Sequence, residues 1–419
     1  MNRFFSNEAF NVMRIRNFRL FLAYRFCITA AILMQSVIVG WQLYSITKDM
    51  LSLGLIGLTE VIPQISIALI AGHYVDIWDR KKIIFRTTFL LLLGSALLLA
   101  TAIPGINSGF LAGTLPIFTT VFLVGLVRGI LMPAHTALLG QLVPRELLAS
   151  AATWGSTVWQ VAAITGPALG GLVYGFFGLQ QAYTLVFIFF LICITLVFFI
   201  KSPGKVAVLS QADGNIFARI KEGIRYVFNN QVLLGAFALD MFAVLFGGAV
   251  AMLPVFASDI LHVGPEGLGL LRACPAAGAI IMSVLLTFKP PVYRSGILML
   301  WSVACFGLCM IVFAISRNFY LSAVCLLLSG VFDSVSVVVR SSILQLFTSN
   351  EMKGRVASVN SIFVGSSNEL GAFESGVAAS AMGLVPSVIF GGMMTLIVVA
   401  IAAKTAPSLR RLSLRDAYA

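Results

Sequence analysis

Twelve long apolar stretches follow one another along this chain, and they constrain the fold more than any other feature of the sequence. A helix that crosses a bilayer needs about 20 mostly apolar residues. The segments that meet this length are 18–46, 51–73, 83–103, 115–141, 148–176, 180–200, 231–261, 266–288, 293–315, 318–347, 355–381 and 383–404. Because 59% of the residues are hydrophobic and only 11% are charged, one water-soluble core could not enclose them all. The sequence therefore predicts an all-α integral membrane protein with twelve transmembrane helices.

One long polar interruption divides the apolar segments into two groups of six. Its second part, from Ile216 to Asn230, has apolar residues at helical spacing opposite Arg and Lys. This pattern predicts an amphipathic helix on the membrane surface. We expect three parts: a six-helix bundle over 1–200, a cytoplasmic linker over 201–230 and a second six-helix bundle over 231–419.

The positive charges indicate how the chain is oriented. Four of the 28 Lys and Arg lie deep inside apolar segments, Lys48 and Arg317 lie on one side, and the other 22 lie at or near the side that holds both termini. An excess of Lys and Arg marks the cytoplasmic side of a membrane protein. We therefore expect a multi-pass protein of the bacterial inner (cytoplasmic) membrane with both termini cytoplasmic. The net charge of +12 is then a topology signal, and no nucleic-acid partner is expected.

The two halves repeat one another in sequence. The run from Gly57 to Pro63 matches the run from Gly269 to Pro275, so that Glu60 corresponds to Arg272. A second set of matches pairs Gly125 with Gly330 and Arg128 with Asp333. Homologous halves of this kind predict pseudo-symmetric bundles with a binding site between them near the midplane.

The link between the second and third apolar segments carries a recognisable pattern. Gly72, Asp76, Arg80 and Lys81 match the loop signature G-x-L-a-D-r-x-G-R-k, whereas Asp79 replaces its turn glycine. On these residues the chain resembles the major facilitator superfamily. The resemblance implies two pseudo-symmetric six-helix bundles and a charged latch that closes the cytoplasmic side in the outward-open state. The alternative is an ordinary loop that carries the positive charges of the cytoplasmic side.

The fifth apolar segment and several runs of the second half extend this resemblance. Gly166, Pro167, Gly170 and Gly171 are similar to the end of the superfamily's antiporter motif. Proline kinks a helix and glycine permits close helix contact, so the segment predicts a packing hinge, although close packing alone also accounts for it. The runs 239–243, 264–273 and 368–376 resemble siderophore exporters of the enterobactin type, a subgroup that neighbours macrolide effluxers.

Nine ionisable residues lie inside apolar segments, where an unpaired charge costs about 2.5–3.5 kcal/mol at a helix centre on insertion scales. They must therefore face a cavity or pair with one another. The candidates for cavity or charge-pair residues are Arg25, Arg128, Arg272, Asp333 and Arg340. Structural ion pairs that lock helices together are the alternative for all nine.

Acids without a basic neighbour in the sequence are the better candidates for carrying a proton. Burial in an apolar segment favours the neutral form of a carboxyl group. The candidates for proton coupling are therefore Asp240, Glu369 and Glu60, and Glu374 belongs to either class.

Several patterns that would indicate other functions are absent from the sequence. No G-x-x-x-x-G-K-[ST] loop is present, which favours the proton gradient over ATP as the energy source and predicts no cofactor. The histidines, His73, His135 and His262, are scattered, so no metal site and no Ser-His-Asp arrangement is expected. The chain is therefore not expected to be an enzyme.

These observations together predict a proton-coupled secondary exporter of a small organic molecule, siderophore-like or drug-like. We expect it to work as a monomer in the lipid bilayer by alternating access. Two alternatives stay open, which are a nutrient importer or facilitator of the same fold and a non-transporting receptor or scaffold.

Overall fold

The computed structural model describes residues 11–105, 109–201, 216–247, 249–349 and 352–414, and its regular elements are all helical. The long helices are α1 (Arg16–Thr47), α2 (Met50–Ile77), α3 (Arg80–Ala102), α4 (Leu115–Leu142), α5 (Leu148–Phe177), α6 (Leu179–Phe199), α7 (Ile216–Asn229), α8 (Gln231–Phe246), α9 (Pro265–Phe288), α10 (Ser295–Ile315), α11 (Phe319–Phe347), α12 (Lys353–Met382) and α13 (Leu384–Thr405). Each predicted apolar segment overlaps one of them, and α7 coincides within one residue with the predicted amphipathic helix. The all-helical membrane fold is confirmed.

The predicted span over 355–381 forms a helix, but its composition differs from that of the other spans. In the described part of the chain, eleven helices are long and apolar enough to cross a membrane, and α12 is not among them. Its sequence places Lys353, Arg355, Glu369 and Glu374 among small and polar residues, so it is less apolar than its neighbour α13. Whether α12 is buried therefore depends on what it packs against rather than on its own hydropathy.

The predicted continuous span over 231–261 is broken in its second half. Helix α8 ends at Phe246, where the amide of Gly247 donates to the Ala243 carbonyl at 2.8 Å. A 3-10 turn (Ala249–Met252), a helical turn (Leu253–Val255) and a π-helical turn (Phe256–Ile260) follow. Proline lacks an amide donor and is tolerated in the first turn of a helix, so Pro254 stands at the start of a new turn rather than inside α8.

The chain divides into two compact units. The first consists of Met1–Ile46, Thr59–Gln211 and Gly264–Gly269, and the second of Thr47–Leu58, Ala212–Val263 and Leu270–Ala419. In the first unit α3 packs against α4 and α6, and in the second α10 packs against α11 and α13.

The internal repeat is visible as the same helix contact in each unit. In the first unit, a Cβ atom on Gly125 of α4 would lie 2.9 Å from Pro63 Cγ of α2. In the second unit, a Cβ atom on Gly330 of α11 would lie 2.7 Å from Pro275 Cα of α9. Because Gly125 corresponds to Gly330 and Pro63 to Pro275 in the sequence repeat, the same glycine-to-proline approach sets the helix distance in both units.

The amphipathic helix α7 packs against protein along one face, where Gly223 and Val227 are buried, whereas Ile224 and Phe228 are exposed. It contacts α8 and α12, and Val227 is buried in the core of the second unit. Its Glu222 carboxylate pairs with the Arg355 guanidinium of α12 at 2.6 Å. Asn230 then caps α8, its side-chain oxygen accepting from the amides of Val232 and Leu233. Helix α7 is thereby anchored to the second unit.

Candidate functional site

Two ion pairs neutralise four of the nine charges inside the apolar helices. In the first unit, Arg128 of α4 pairs with Glu60 of α2. In the second unit, Arg340 of α11 pairs with Asp240 of α8. Both acids were predicted to carry a proton because no basic residue lies near them in the sequence. In the structure each of them forms an ion pair with an arginine of a different helix. The partners could not be read from sequence neighbours, since each pair joins helices that are distant along the chain.

The Asp240–Arg340 pair is the more deeply buried of the two. The side chains of Arg340 and Asp240 are 8% and 6% exposed, whereas those of Arg128 and Glu60 are 39% and 14% exposed. In a buried pair, removal of one partner leaves an uncompensated charge and typically costs about 3–5 kcal/mol. Anything that neutralises Asp240, including a proton, therefore changes the stability of this contact between α8 and α11.

The helix face of Arg340 carries two further polar side chains. Asp333, Ser336 and Arg340 follow one another at helical spacing on α11, so that they lie on one side of the helix. The Ser336 hydroxyl is buried without a hydrogen-bond partner, and among the described residues the Asp333 carboxylate has no hydrogen bond or ion pair. Of the two charged residues on this face, Arg340 pairs with Asp240 of α8.

A buried polar network in the first unit holds Arg25. The Arg25 Nη1 atom lies 2.7 Å from Nδ1 of His135, and the other ring nitrogen, Nε2, lies 3.1 Å from the Tyr24 hydroxyl. That hydroxyl is 3.2 Å from the hydroxyl of Thr88, which donates to the Ile84 carbonyl at 2.7 Å. The network joins α1, α3 and α4, and Tyr24 and Thr88 are fully buried.

The direction of every hydrogen bond in this network is fixed because the Arg25 guanidinium at one end only donates and the Ile84 carbonyl at the other end only accepts. Because a guanidinium only donates, Nδ1 of His135 accepts from Arg25, and the proton of the neutral imidazole is on Nε2. The Tyr24 hydroxyl then accepts from His135 and donates to Thr88, whose own proton goes to Ile84. Each proton is used once, so the network is satisfied with His135 neutral.

His135 belongs to this network, although the sequence showed it only as one of three scattered histidines. The signal that would have found it is its position seven residues after Arg128, two turns along the same face of α4. The partner Arg25 lies on another helix.

The latch motif is described in part. The side chains of Gly72 and Asp76 lie outside the described residues, although both positions belong to α2. Asp79, which replaces the turn glycine of the signature, caps α3 by accepting from the amide of Lys81 at 2.9 Å. The Lys81 ammonium donates to the Phe198 carbonyl at the end of α6 at 2.9 Å, and the Arg80 Nε atom is buried without a partner among the described residues.

The glycines of the antiporter-type segment lie at close helix contacts within the first unit. A Cβ atom on Gly166 would lie 2.7 Å from the Ala30 carbonyl oxygen, and one on Gly170 would lie 2.8 Å from the Met34 side chain, both on α1. Gly171 faces Gly269 in the first turn of α9, to which the carbonyl of Pro167 is also close. Close packing is therefore what these residues do in this conformation.

The three remaining candidates are half-buried and lie on two helices of the second unit. Glu369 and Glu374 are on α12, and Arg272 is on α9. Gly57 at the start of α2 approaches the backbone of Glu369, and Gly54 approaches Gly376 about two turns further along α12. The start of α2 thus runs along the stretch of α12 that carries both acids.

Comparison with known proteins identifies the family. Residues 7–416 match the family described as transmembrane secretion effector, of the major facilitator superfamily. The chain belongs to this family. It is a major facilitator transporter and not an enzyme, and its curated relatives include efflux proteins and other transporters of the major facilitator type. Macrolide efflux protein A of Streptococcus pyogenes is 23% identical over 398 residues, which cover 93% of this chain and 95% of the relative. A protein of the same name from Enterococcus faecalis is 23% identical over 69% of this chain and 88% of its own length.

Solved transporter structures have the same fold. A POT family transporter in complex with a thioalcohol-conjugated peptide matches with a TM-score of 0.72 at 11% identity, covering 94% of this chain and 96% of its own. A bacterial homologue of the human lysosomal transporter Spinster matches with a TM-score of 0.69 at 13% identity, covering 96% of this chain and 98% of its own. At these identities the likeness establishes the fold alone.

Proposed function

We propose that this protein is a proton-coupled exporter that expels a small organic molecule, siderophore-like or drug-like, by alternating access. The observation that supports it best is the buried Asp240–Arg340 ion pair, because it offers a single carboxylate whose protonation breaks a contact between two membrane helices. A proton on Asp240 removes the charge that holds Arg340, and loss of the proton restores it. Proton binding is then coupled to transport because the pair with protonated Asp240 favours one conformation of the transporter and the pair with ionised Asp240 favours the other.

Export rather than import is supported by the family to which the chain belongs. The family description names secretion, and macrolide efflux protein A aligns over nearly the whole length of both chains. The siderophore-like alternative rests on the sequence runs that resemble the enterobactin-type exporters. The distribution of Lys and Arg supports a cytoplasmic-membrane location with both termini on the cytoplasmic side, and we take the protein to act as a monomer.

The proposal is tested in inverted vesicles with an imposed proton gradient. Erythromycin and a catecholate siderophore serve as the two probes. We expect the wild type to accumulate one of them in a gradient-dependent manner and Asp240→Asn to lose at least nine-tenths of that uphill transport while it retains counterflow. Counterflow needs substrate binding and alternation but no proton, so it separates lost coupling from lost folding.

The matched control is Asp49→Asn. Asp49 lies between α1 and α2, where its carboxylate accepts from the amides of Leu51 and Ser52. The hydroxyl of Ser52 also donates to it and lowers the pKa of Asp49, so this carboxylate is ionised at the pH of the assay. The control variant should transport normally. Full uphill transport by Asp240→Asn would transfer the coupling role to Glu369, Glu60 or Glu374, and gradient-independent equilibration by the wild type would favour a facilitator.

A further inference from the structure

Arg25 is a membrane-embedded cation with no carboxylate partner among the described residues. Its one hydrogen bond goes to Nδ1 of His135, which is a neutral acceptor. The ion pairs described within the spans join other residues, Arg128 with Glu60 and Arg340 with Asp240. A charge in an apolar helix is stable only where it is paired or open to a water-filled cavity. Arg25 therefore has no counter-charge among the described residues, although a cation inside an apolar helix requires one.

The remaining donors of Arg25 are open. A guanidinium has five N–H donors in one plane, of which the contact with His135 uses one. No nitrogen of Arg25 is among the buried atoms that lack a hydrogen-bond partner, and the side chain is only partly buried. The unused donors consequently point into accessible space, and their planar arrangement matches two oxygens of a carboxylate or phosphate.

We propose that Arg25 binds an anionic group, a carboxylate or a phosphate, of the transported molecule, and that His135 is the positioning residue that holds Arg25 for it. This inference rests on the proposed transport function and narrows the substrate to organic anions. The proposal also explains the role of the buried network. Its hydrogen bonds run without interruption from Arg25 to the Ile84 carbonyl and hold the guanidinium in place.

His135 is well suited to hold Arg25 in one place. Its ring is flanked edge-on by Phe21 at 6.0 Å and by Tyr24 at 5.4 Å between centroids, so it has little freedom to turn. A cationic imidazole would place a second N–H against the Arg25 donor, which is impossible at 2.7 Å. The contact therefore requires neutral His135 with its proton on Nε2.

The anion site is tested by binding, without reference to transport. Benzoate is the probe, and benzamide, which has the same shape without the charge, is its control. Benzoate should raise the Tm of the purified full chain in a saturable manner, and benzamide should not. Arg25→Gln should abolish the shift and Arg25→Lys should weaken binding about tenfold, because an ammonium cannot make the bidentate contact. Arg317→Gln, in an exposed loop, should retain the wild-type shift.

Two substitutions of His135 separate positioning from simple support of the fold. Asn places its amide oxygen near the Nδ1 position and keeps an acceptor for Arg25, whereas Gln reaches the Nε2 position and loses that acceptor. His135→Asn should bind benzoate within about threefold of wild type, and His135→Gln about tenfold more weakly. In a variant whose other two histidines are replaced by Gln, the ¹⁵N spectrum should show Nε2 protonated and Nδ1 not.

Each outcome decides the question. A benzoate shift that survives in Arg25→Gln, an absent shift in the wild type, or a cationic His135 overturns the anion site. Equal loss in His135→Asn and His135→Gln overturns the positioning role alone. Intact benzoate binding combined with no gradient-driven transport of either probe overturns the proposed function and leaves the site standing.

Discussion

The charges inside the membrane follow the internal repeat with their signs exchanged. Glu60 of α2 corresponds to Arg272 of α9, and Arg128 of α4 corresponds to Asp333 of α11. In the first unit the acid and the base of this set form an ion pair. The two halves thus carry opposite charges at these repeat-related positions.

The Glu60–Arg128 pair makes a residue-scale prediction. Glu60→Gln and Arg128→Gln should each destabilise the protein, and the double variant should be less unstable than the sum, with a coupling of about 1–3 kcal/mol. The measurement is a double-mutant cycle on unfolding in detergent. Glu146→Gln, which lies in an exposed turn after α4, should be additive with Arg128→Gln. If the effects of Glu60→Gln and Arg128→Gln were also additive, the ion pair would contribute nothing to stability.

Sequence reasoning found the charged residues of the site but not their partners. A carboxylate in an apolar segment stands out because such a residue is costly there. Which arginine meets it depends on helix rotation and packing, and these are set by contacts such as that of Gly125 with Pro63. For the same reason the sequence did not show that His135 contacts Arg25, because Arg25 lies on another helix.

At the scale of the elements, α4 offers a matched test of close packing. Gly125→Ala should destabilise the protein by about 1–3 kcal/mol, because the added Cβ meets Pro63 and the Glu60 backbone. Gly330→Ala should do the same in the second unit. A Cβ on Gly140 meets nothing within 4 Å, so Gly140→Ala should be neutral or stabilising through helix propensity. Thermal unfolding in detergent measures all three, and equal effects at Gly125 and Gly140 would refute the packing argument.

The helices were the most predictable part of this protein. A bilayer fixes the length of an apolar segment, and the observed bounds of α4, α5 and α6 differ from the predicted ones by at most one residue at either end. The break after Phe246 was not foreseen, because a run such as Leu253–Val255 is as apolar as an unbroken span. Only Gly247 and Pro254 in that stretch indicate where the helical backbone hydrogen bonds of α8 stop.

For the whole molecule, the charged latch remains a prediction from the sequence. Arg80→Ala and Asp76→Asn should each impair transport while the protein is inserted and folded, because the latch shifts the balance of conformations by a few kcal/mol at most. The measurement is transport per inserted molecule in vesicles. Lys82→Ala, two residues along α3 and exposed, should leave transport intact. Wild-type rates in both latch variants would reduce the motif to an ordinary basic loop.

The polar composition of α12 has a consequence for how the protein is made. A segment with two acids and many small polar residues does not partition into lipid when the translocon presents it alone. Gly383 is the single residue between α12 and α13, and α13 is strongly apolar. We therefore expect the two to enter the bilayer together as a helical hairpin, driven by α13. A nascent chain released at Met382 would leave its last helix outside the membrane, so biogenesis is complete only after α13 has been synthesised.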